Sequence, residues 1–342
     1  MKRILGCLLA LCILCCGCAD KIAEPAPGGQ AGTETETIST EPAQTPNAVL
    51  EIREDTILQG GEYASGTPGQ HVILISGARL SGVGLTLDKS GDGSAAGEDG
   101  VLTGTENAAL LAENGAYAEV SGSAISSGAA GGHAVAVTDG SALLADTMIV
   151  TTGSGAAALY VSGGSAELRR SELVSGSGSA SALYVTAGGS VTAEDSQITS
   201  DAGDTAALYG GTLTLIRCTL TGDLRIHGTG NRLAASGSTL SGNVWFPEAE
   251  DEAALSFTDG STFTGAIVGD GAIGISISLS QDSRWTLTED CYVAGFADAD
   301  AALSNIESNG HSIYYNAELE ANAVWMGKSY ALPGGGYLIP LI

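Results

Sequence analysis

The sequence predicts an all-β chain folded as a single-stranded parallel β-helix, a solenoid of about 24 residues per coil that ends in a C-terminal cap. Two observations lead to this prediction. Apolar residues recur at a nearly constant interval, and glycine turns separate short stretches in which apolar and polar residues alternate. Such alternation is typical of strands, and no 12-residue window carries the 3.6-residue apolar stripe of a helix. We expect the coil to be right-handed.

The interval is clearest in a long column of eight apolar residues, spaced 20 to 25 positions apart. Its members are Ile125, Ile149, Leu173, Ile198, Leu220, Leu240, Phe263 and Trp285. A serine, threonine or cysteine lies two positions before each of them. A shorter column is expected to consist of Leu111, Val135, Leu159, Leu183 and Leu208. Equivalent residues of successive coils stack about 4.8 Å apart, so both columns should form ladders in the interior.

The composition fits a narrow interior built from small side chains. The chain has 50 glycines but only 8 prolines, and 5% of its residues are aromatic. Pro247 is the one proline within residues 69–332, as expected where each strand needs its N–H groups for its neighbours. Residues 49–342 are predicted to form about 12 coils. The part from about 283 to 342 is predicted to be the cap, which covers the open strand edges.

Five segments of the body resemble a known group of proteins. They are L-D-K-S-G-D-G-S at 87–94, G-S-T-F-T-G at 260–265, S-R-W-T-L-T-E-D-C-Y-V-A-G-F at 283–296, S-N-I-E-S-N-G-H-S-I-Y-Y-N at 304–316 and V-W-M-G-K-S-Y-A-L-P-G-G-G-Y-L-I-P at 324–340. They are similar to bacterial surface β-helix proteins, described as adhesin-like, with a pectin-lyase-like fold. The resemblance implies this fold and a surface location, and it supplies no catalytic residues.

Residues 1–17 are predicted to be a lipoprotein signal peptide, and Cys18 is its predicted lipidation site. Lys2 and Arg3 precede an apolar run from Ile4 to Cys18, which is shorter than the roughly 20 residues that a membrane span needs. A glycine precedes Cys18 and polar sequence follows it, so the segment resembles bacterial lipoprotein signals. The alternative is an ordinary cleaved signal peptide.

Residues 18–48 are predicted to be a disordered Thr/Glu/Pro tether, and residues 49–342 the β-helix domain. Acylation of Cys18 would anchor the exported chain on the outer face of the cell membrane. We expect a monomer at the cell surface. Cys218 and Cys291 in the body lie about three coils apart, further than a disulfide spans, so both thiols are predicted to be free.

The charge and the histidines exclude two classes of partner. With 13 Lys+Arg against 39 Asp+Glu the formal charge is −26, and nucleic acid is not expected as a partner because phosphate binding requires clustered cations. The four histidines show no metal-ligand spacing. They are His71, His133, His227 and His311. No cofactor is expected, with calcium left open as an alternative.

The calcium alternative rests on the segment from Asp88 to Asp99. Oxygen-bearing side chains occupy the first, third, fifth and twelfth positions of an EF-hand-like loop, at Asp88, Ser90, Asp92 and Asp99. The flanking helices and the bidentate glutamate of that loop are missing. The alternative interpretation is a solvated acidic loop.

A second candidate site is a ladder of alternating charges on four successive coils. Asp146, Arg170, Asp195 and Arg217 each lie three residues before a member of the long column. Polysaccharide lyases built on β-helices place acidic calcium ligands and a basic residue on one exposed face, which makes this ladder the most lyase-like patch. The simpler interpretation is pairing of opposite charges on adjacent coils.

These observations favour a non-catalytic binding, adhesion or structural role at the cell surface. A rigid repetitive face suits contact with a polymer such as a polysaccharide, or with another cell. The alternative is a polysaccharide-active enzyme, a lyase or hydrolase, acting at the charge ladder. No catalytic residue is assigned beyond that alternative.

Overall fold

The computed structural model describes residues 47–93, 104–105, 107–176, 181–201, 203–269 and 274–342. It confirms the predicted fold class: the chain is all-β, 2% helical, and forms a parallel β-solenoid of about 11 turns with about 24 residues per coil. The solenoid is slightly shorter than expected, because the last strands pair in a separate capping sheet. In the described part, no helix has the length and apolar character that crossing a membrane would require.

Each coil contributes one strand to each of three parallel sheets, here named A, B and C. The described strands of sheet A are Ala48–Ile52, His71–Ser76, Ala108–Glu113, His133–Thr138, Ala157–Ser162, Ser181–Thr186, Ala206–Tyr209, Leu224–His227, Val244–Phe246 and Ile267–Gly269. Those of sheet B are Thr56–Gln59, Arg79–Val83, Tyr117–Ser121, Ser141–Ala145, Ser165–Arg169, Ser190–Glu194, Thr212–Ile216, Asn231–Ser236, Glu252–Thr258, Gly274–Leu279 and Gly295–Asp298. Those of sheet C are Glu62–Ser65, Thr86–Lys89, Ala124–Ser127, Met148–Thr151, Glu172–Ser175, Gln197–Ser200, Thr219–Thr221, Thr239–Ser241, Thr262–Thr264, Arg284–Thr286 and Ile306–Glu307.

The long column is confirmed residue by residue. Each of its members is paired in register with the next along sheet C, and all eight are buried. Near the C-terminal end the column changes from aliphatic to aromatic side chains. The rings of Phe263 and Trp285 stack with centroids 5.7 Å apart, and the Trp285 indole N–H donates to the carbonyl of Gly265 at 3.0 Å.

The shorter column was wrong at both ends. Val135 is paired with Leu110, so Leu111 lies one position out of register and faces the outside of sheet A. Leu208 is paired with Val185, two positions beyond the partner expected for it. The strand Ala108–Glu113 is buried on both faces over its first five residues, so its hydrophobicity does not reveal which residues point inward.

The small polar residues before the long column form a buried hydroxyl column at the corner between sheets B and C. The Ser171 hydroxyl accepts the N–H of Thr147 on the previous coil at 3.1 Å and donates to the carbonyl of Arg169 at 3.0 Å. Ser238 does the same for the N–H of Cys218 and the carbonyl of Ser236, both at 3.0 Å. These side chains accept backbone N–H groups that the sheets leave unpaired at the corner.

Both cysteines in the described part are free and buried, as predicted. Burial raises the pKa of both thiols, that of Cys291 to about 12. Cys218 takes a serine position of the hydroxyl column, and its Sγ lies 3.4 Å from the carbonyl oxygen of Ile216. Both thiols are therefore packing groups that remain protonated at neutral pH.

The C-terminal end of the solenoid is covered by a four-stranded sheet and a short 3₁₀ helix. The sheet contains Cys291–Val293, Ile313–Asn316, Tyr330–Ala331 and Tyr337–Leu341. In the 3₁₀ helix Glu320–Trp325, Asn322 accepts the N–H of Phe296 at 2.8 Å, and the Trp325 indole donates to the carbonyl of the same Phe296 at 2.8 Å. The helix thus supplies the hydrogen bonds that a further coil would give to the last strand of sheet B.

His71 and His133 occupy equivalent positions in sheet A, and both accept hydrogen bonds from the backbone. Each Nδ1 accepts a backbone N–H of the following coil at 3.0 Å, from Ala108 and Ala157 respectively. Both rings are buried, and desolvation lowers the pKa of each from 6.5 to about 4. The neutral ring is the form that can accept this hydrogen bond.

Acidification is therefore expected to destabilise the solenoid through these two histidines. The unfolded chain, with histidine pKa near 6.5, takes up both protons first, so their contribution is complete above about pH 6.5 and is lost as the pH falls towards 4. The loss should be roughly 2–3 kcal/mol for each histidine between pH 7 and pH 4.5. Urea denaturation at both pH values measures it. Carboxylates titrate in the same range, so His133→Gln is the control. An equal pH dependence in this variant and the wild type would contradict the prediction.

Loss of one corner hydroxyl should be costly. Ser238→Ala leaves the buried N–H of Cys218 without its acceptor, which is expected to lower the free energy of unfolding by about 1–3 kcal/mol. Ser165→Ala, an exposed serine on the outside of sheet B, should change it by less than about 0.5 kcal/mol. Urea midpoints of the two variants make the comparison, and equal midpoints would show that the corner hydroxyl is dispensable.

Candidate functional site: the outer face of sheet C

The charge ladder of Asp146, Arg170, Asp195 and Arg217 lies at the turn where each coil passes from sheet B to sheet C. All four residues have left-handed backbone conformations, with φ between 48° and 51° for the first three and 52° for Arg217. Glycines occupy this turn in other coils, at Gly122 and Gly237. Aspartate tolerates such a conformation, whereas arginine is uncommon there. The turn aims these side chains outward, and all four are exposed.

The structure brings the four charges together as two bidentate ion pairs. Arg170 donates from Nε and Nη2 to the Asp146 carboxylate at 2.8 and 2.7 Å. Arg217 donates to Asp195 at 2.7 and 2.9 Å, and its Nη2 also reaches Glu194 at 2.5 Å. Every charge of the ladder is thus matched by an opposite charge one coil away.

Pairing fixes the protonation state of the ladder. The guanidinium hydrogen bonds lower the pKa of Asp146 and Asp195, and the carboxylates raise the pKa of Arg170 and Arg217. A general base that acts near neutral pH needs a pKa close to that pH. The shifts move the pKa values of these carboxylates and guanidinium groups further from neutral pH. They therefore favour a fixed pattern of charges that can bind polar groups.

A shallow groove of about 400 Å³ lies along the ladder. Besides Asp146, Arg170 and Asp195, it is lined by exposed side chains of sheet C, namely Met148, Glu172 and Gln197. One wall is therefore charged and the floor mixes an apolar side chain with polar ones. The groove opens to solvent over three coils, which suits an extended ligand.

Beyond the groove, the outer face of sheet C carries an array of hydroxyl groups that sequence reasoning missed. The hydroxyl array comprises Thr219, Thr221, Thr239, Ser241, Thr262 and Thr264. Three strands pair in register, so the hydroxyls form two parallel rows. Thr262 donates to the Thr239 hydroxyl at 3.2 Å, and all members except the half-buried Thr262 are exposed. The available signal was the repeat T-L-T, T-L-S, T-F-T around the long column.

The residues predicted to bind calcium are only partly placed. Asp88 lies in a strand of sheet C and accepts the Ser126 hydroxyl at 2.8 Å, Asp92 accepts the N–H of Ala130 at 2.9 Å, and Ser90 is exposed. Asp99 lies outside the described residues. Across the described ranges, no group of three or more His, Cys, Asp or Glu side chains is arranged to hold a metal ion.

A buried ammonium lies between the two placed aspartates. Lys89 is fully buried, and its Nζ donates to the carbonyls of Thr67 at 3.0 Å and Gly91 at 2.6 Å. Burial lowers the pKa of Lys89 despite the nearby carboxylates. A lysine thus already occupies the carbonyl oxygens of this turn, where its charge opposes a neighbouring cation.

The other two histidines lie beside carboxylates, and the predicted lipidation site lies outside the described part. His227 and His311 lie beside aspartates, with Nδ1 3.4 Å from Asp251 and 3.5 Å from Asp290. Cys18, the predicted signal peptide and all but the last two residues of the predicted tether precede residue 47, where the described part begins.

A scan against protein-family models finds no match for the chain, and searches of curated proteins and of solved structures find none either. The resemblance to adhesin-like surface proteins therefore rests on the sequence segments alone. Function must be argued from the chemistry of the solenoid surface.

Proposed function

We propose that this protein is a lipid-anchored cell-surface protein whose β-helix binds a polysaccharide, without cleaving it, through the outer face of sheet C. The observation that carries the proposal is the hydroxyl array, whose two rows repeat at the spacing of the coils, about 4.8 Å. The charged groove continues this face towards the N-terminal coils.

Repetition favours a repetitive ligand. Each hydroxyl can donate one hydrogen bond and accept two, and a single such contact to a ligand in water contributes little. A polymer engages many of them at once, so the later contacts form at high effective concentration. Threonine suits this use because its branched side chain has few rotamers and lies on a rigid strand.

The charges favour a neutral polysaccharide. The formal charge of −26 repels polyanions at long range, and the arginines of the charge ladder are already matched by carboxylates. Paired charges still offer hydrogen-bond donors and acceptors at their edges, as sugar hydroxyls require.

Binding to the hydroxyl array is tested by Thr219→Val, Thr239→Val and Thr262→Val combined, which removes one row of hydroxyls while keeping the side-chain shape. With the purified chain and a panel of neutral and uronic-acid polysaccharides, we expect at least about a tenfold loss of affinity, measured by calorimetry. The matched control is Thr192→Val with Thr214→Val on the outer face of sheet B, which should bind like the wild type.

The same panel tests the enzymatic alternative. New reducing ends or unsaturated products that disappear in Arg170→Ala would overturn the binding role and place a lyase at the charge ladder. Equal affinity of the wild type and the triple valine variant would show that the hydroxyl array takes no part in binding.

The membrane anchor is tested separately in a bacterial host. Cys18→Ala is expected to abolish labelling of the chain by a radioactive or clickable fatty acid and to release it from the membrane fraction, because the acyl chains provide the attachment. Cys15→Ala is the matched control and should remain labelled. Continued labelling of the Cys18→Ala variant would exclude Cys18 as the lipidation site.

A further inference from the structure

A second surface of different chemistry lies on the outside of sheet A. Here the outward side chains change along the axis. Towards the N-terminal coils they form an apolar cluster that is at most 6% exposed, made up of Ala48, Leu74, Ala108, Leu111, Ala136, Ala157, Tyr160, Tyr184 and Ala207. In the next two coils the outward residues are Arg225, His227 and Trp245, which are half-buried or exposed.

Aromatic rings continue from the buried part into the open part. His133, Tyr160, Tyr184 and Tyr209 stack in order, with centroids 4.5 to 5.6 Å apart, and Tyr209 then contacts His227 at 5.1 Å. The column is buried through Tyr184 and reaches solvent at Tyr209 and His227. An aromatic surface thus emerges on the outside of the sheet.

Trp245 lies one coil beyond the end of this column and is held in a fixed orientation. Its indole N–H donates to Asp223 at 3.0 Å, and the other oxygen of Asp223 accepts the N–H of Asn243 at 2.8 Å. The residue is 37% exposed, whereas Trp285 and Trp325, the other two tryptophans of the chain, are at most 5% exposed. An indole whose polar edge is already bound offers its apolar face to a ligand.

Two polar side chains lie on the same outer face, on the strand that precedes Trp245 in sheet A. Arg225 is the register partner of Trp245 in the adjacent strand, and its Nε donates to Asp204 at 2.6 Å. His227 lies 3.4 Å from the buried carboxylate of Asp251, which accepts the N–H groups of Gly228 and Glu248. An aspartate carboxylate thus fixes each of these two side chains, and about 40% of each side chain is exposed.

We propose that Tyr209, Arg225, His227 and Trp245 form a binding site for a neutral carbohydrate, with one pyranose ring stacked on the indole of Trp245. The C–H face of a sugar packs on the aromatic ring, while Arg225 donates to its hydroxyls and the imidazole of His227 can donate or accept. This site, named the Trp245 site, goes beyond the proposed function because it lies on another sheet and shares no residue with the hydroxyl array.

The surrounding charges select against other ligands. The carboxylates of Asp204, Asp223 and Asp251 lie around the site and disfavour anionic sugars and phosphate groups. Arg225 in its centre disfavours a cation over the ring. A neutral molecule with an apolar face and a hydroxyl rim avoids both penalties.

The test is calorimetric titration of the full chain with tetrasaccharides of β-1,4-linked glucose, xylose, mannose and N-acetylglucosamine. We expect saturable binding of at least one, weakened about tenfold or more by Trp245→Ala. Tyr292→Ala is the matched control, because Tyr292 is an exposed ring on the capping sheet, 41% exposed and stacked on Tyr314. This variant should bind like the wild type.

Two further measurements distinguish a folding defect from the loss of one binding site. Equal urea midpoints of Trp245→Ala and the wild type establish that the variant is folded. The triple valine variant of the hydroxyl array should keep its tetrasaccharide affinity, so failure of one site does not imply failure of the other. The proposal is overturned if none of the four tetrasaccharides binds, or if Trp245→Ala binds as tightly as the wild type.

Discussion

The parallel hydrogen bonding between successive coils is the constraint on which the rest of this structure depends. Because each strand pairs in register with its equivalent in the next coil, a residue that points inward in one coil lies above an inward residue in the preceding one. A slip of one residue in the register would exchange the buried and exposed faces of a whole strand. The chain therefore repeats its pattern every 24 residues or so, and any chemistry placed on the outside becomes a row.

The corners show how the repeat treats polar backbone groups. Where the chain leaves one sheet for the next, regular pairing is interrupted, and side chains take over as acceptors. Ser171 and Ser238 do so between sheets B and C, and His71 and His133 do so in sheet A. Each of these side chains joins two coils. These side chains therefore help to hold successive coils together, and their buried polar atoms have a structural role.

The sequence was informative where one face of a strand is buried and the other is exposed. Sheet C has this pattern, and all eight predicted members of the long column are confirmed, although the ladder continues in further coils at both ends. Sheet A is buried on both faces over most of the strand Ala108–Glu113, so hydrophobicity alone placed Leu111 on the wrong side. The adjacency of Asp146, Arg170, Asp195 and Arg217 followed from spacing, but their closure into two ion pairs depends on rotamers that no spacing encodes. Tyr160 and Tyr184, 24 positions apart, were a visible signal of the outer aromatic column.

The two proposed binding surfaces meet at a corner made of backbone. Ser241 of the hydroxyl array and Trp245 belong to one coil and are separated by the turn at Gly242. A Cβ atom at Gly242 would lie 2.2 Å from the carbonyl oxygen of Gly222, and one at Gly265 would lie 2.0 Å from that of Gly242. Close packing of successive coils thus requires glycine at this corner. The same tight stacking that holds the solenoid together therefore sets the hydroxyl-rich face and the aromatic one directly on either side of this corner.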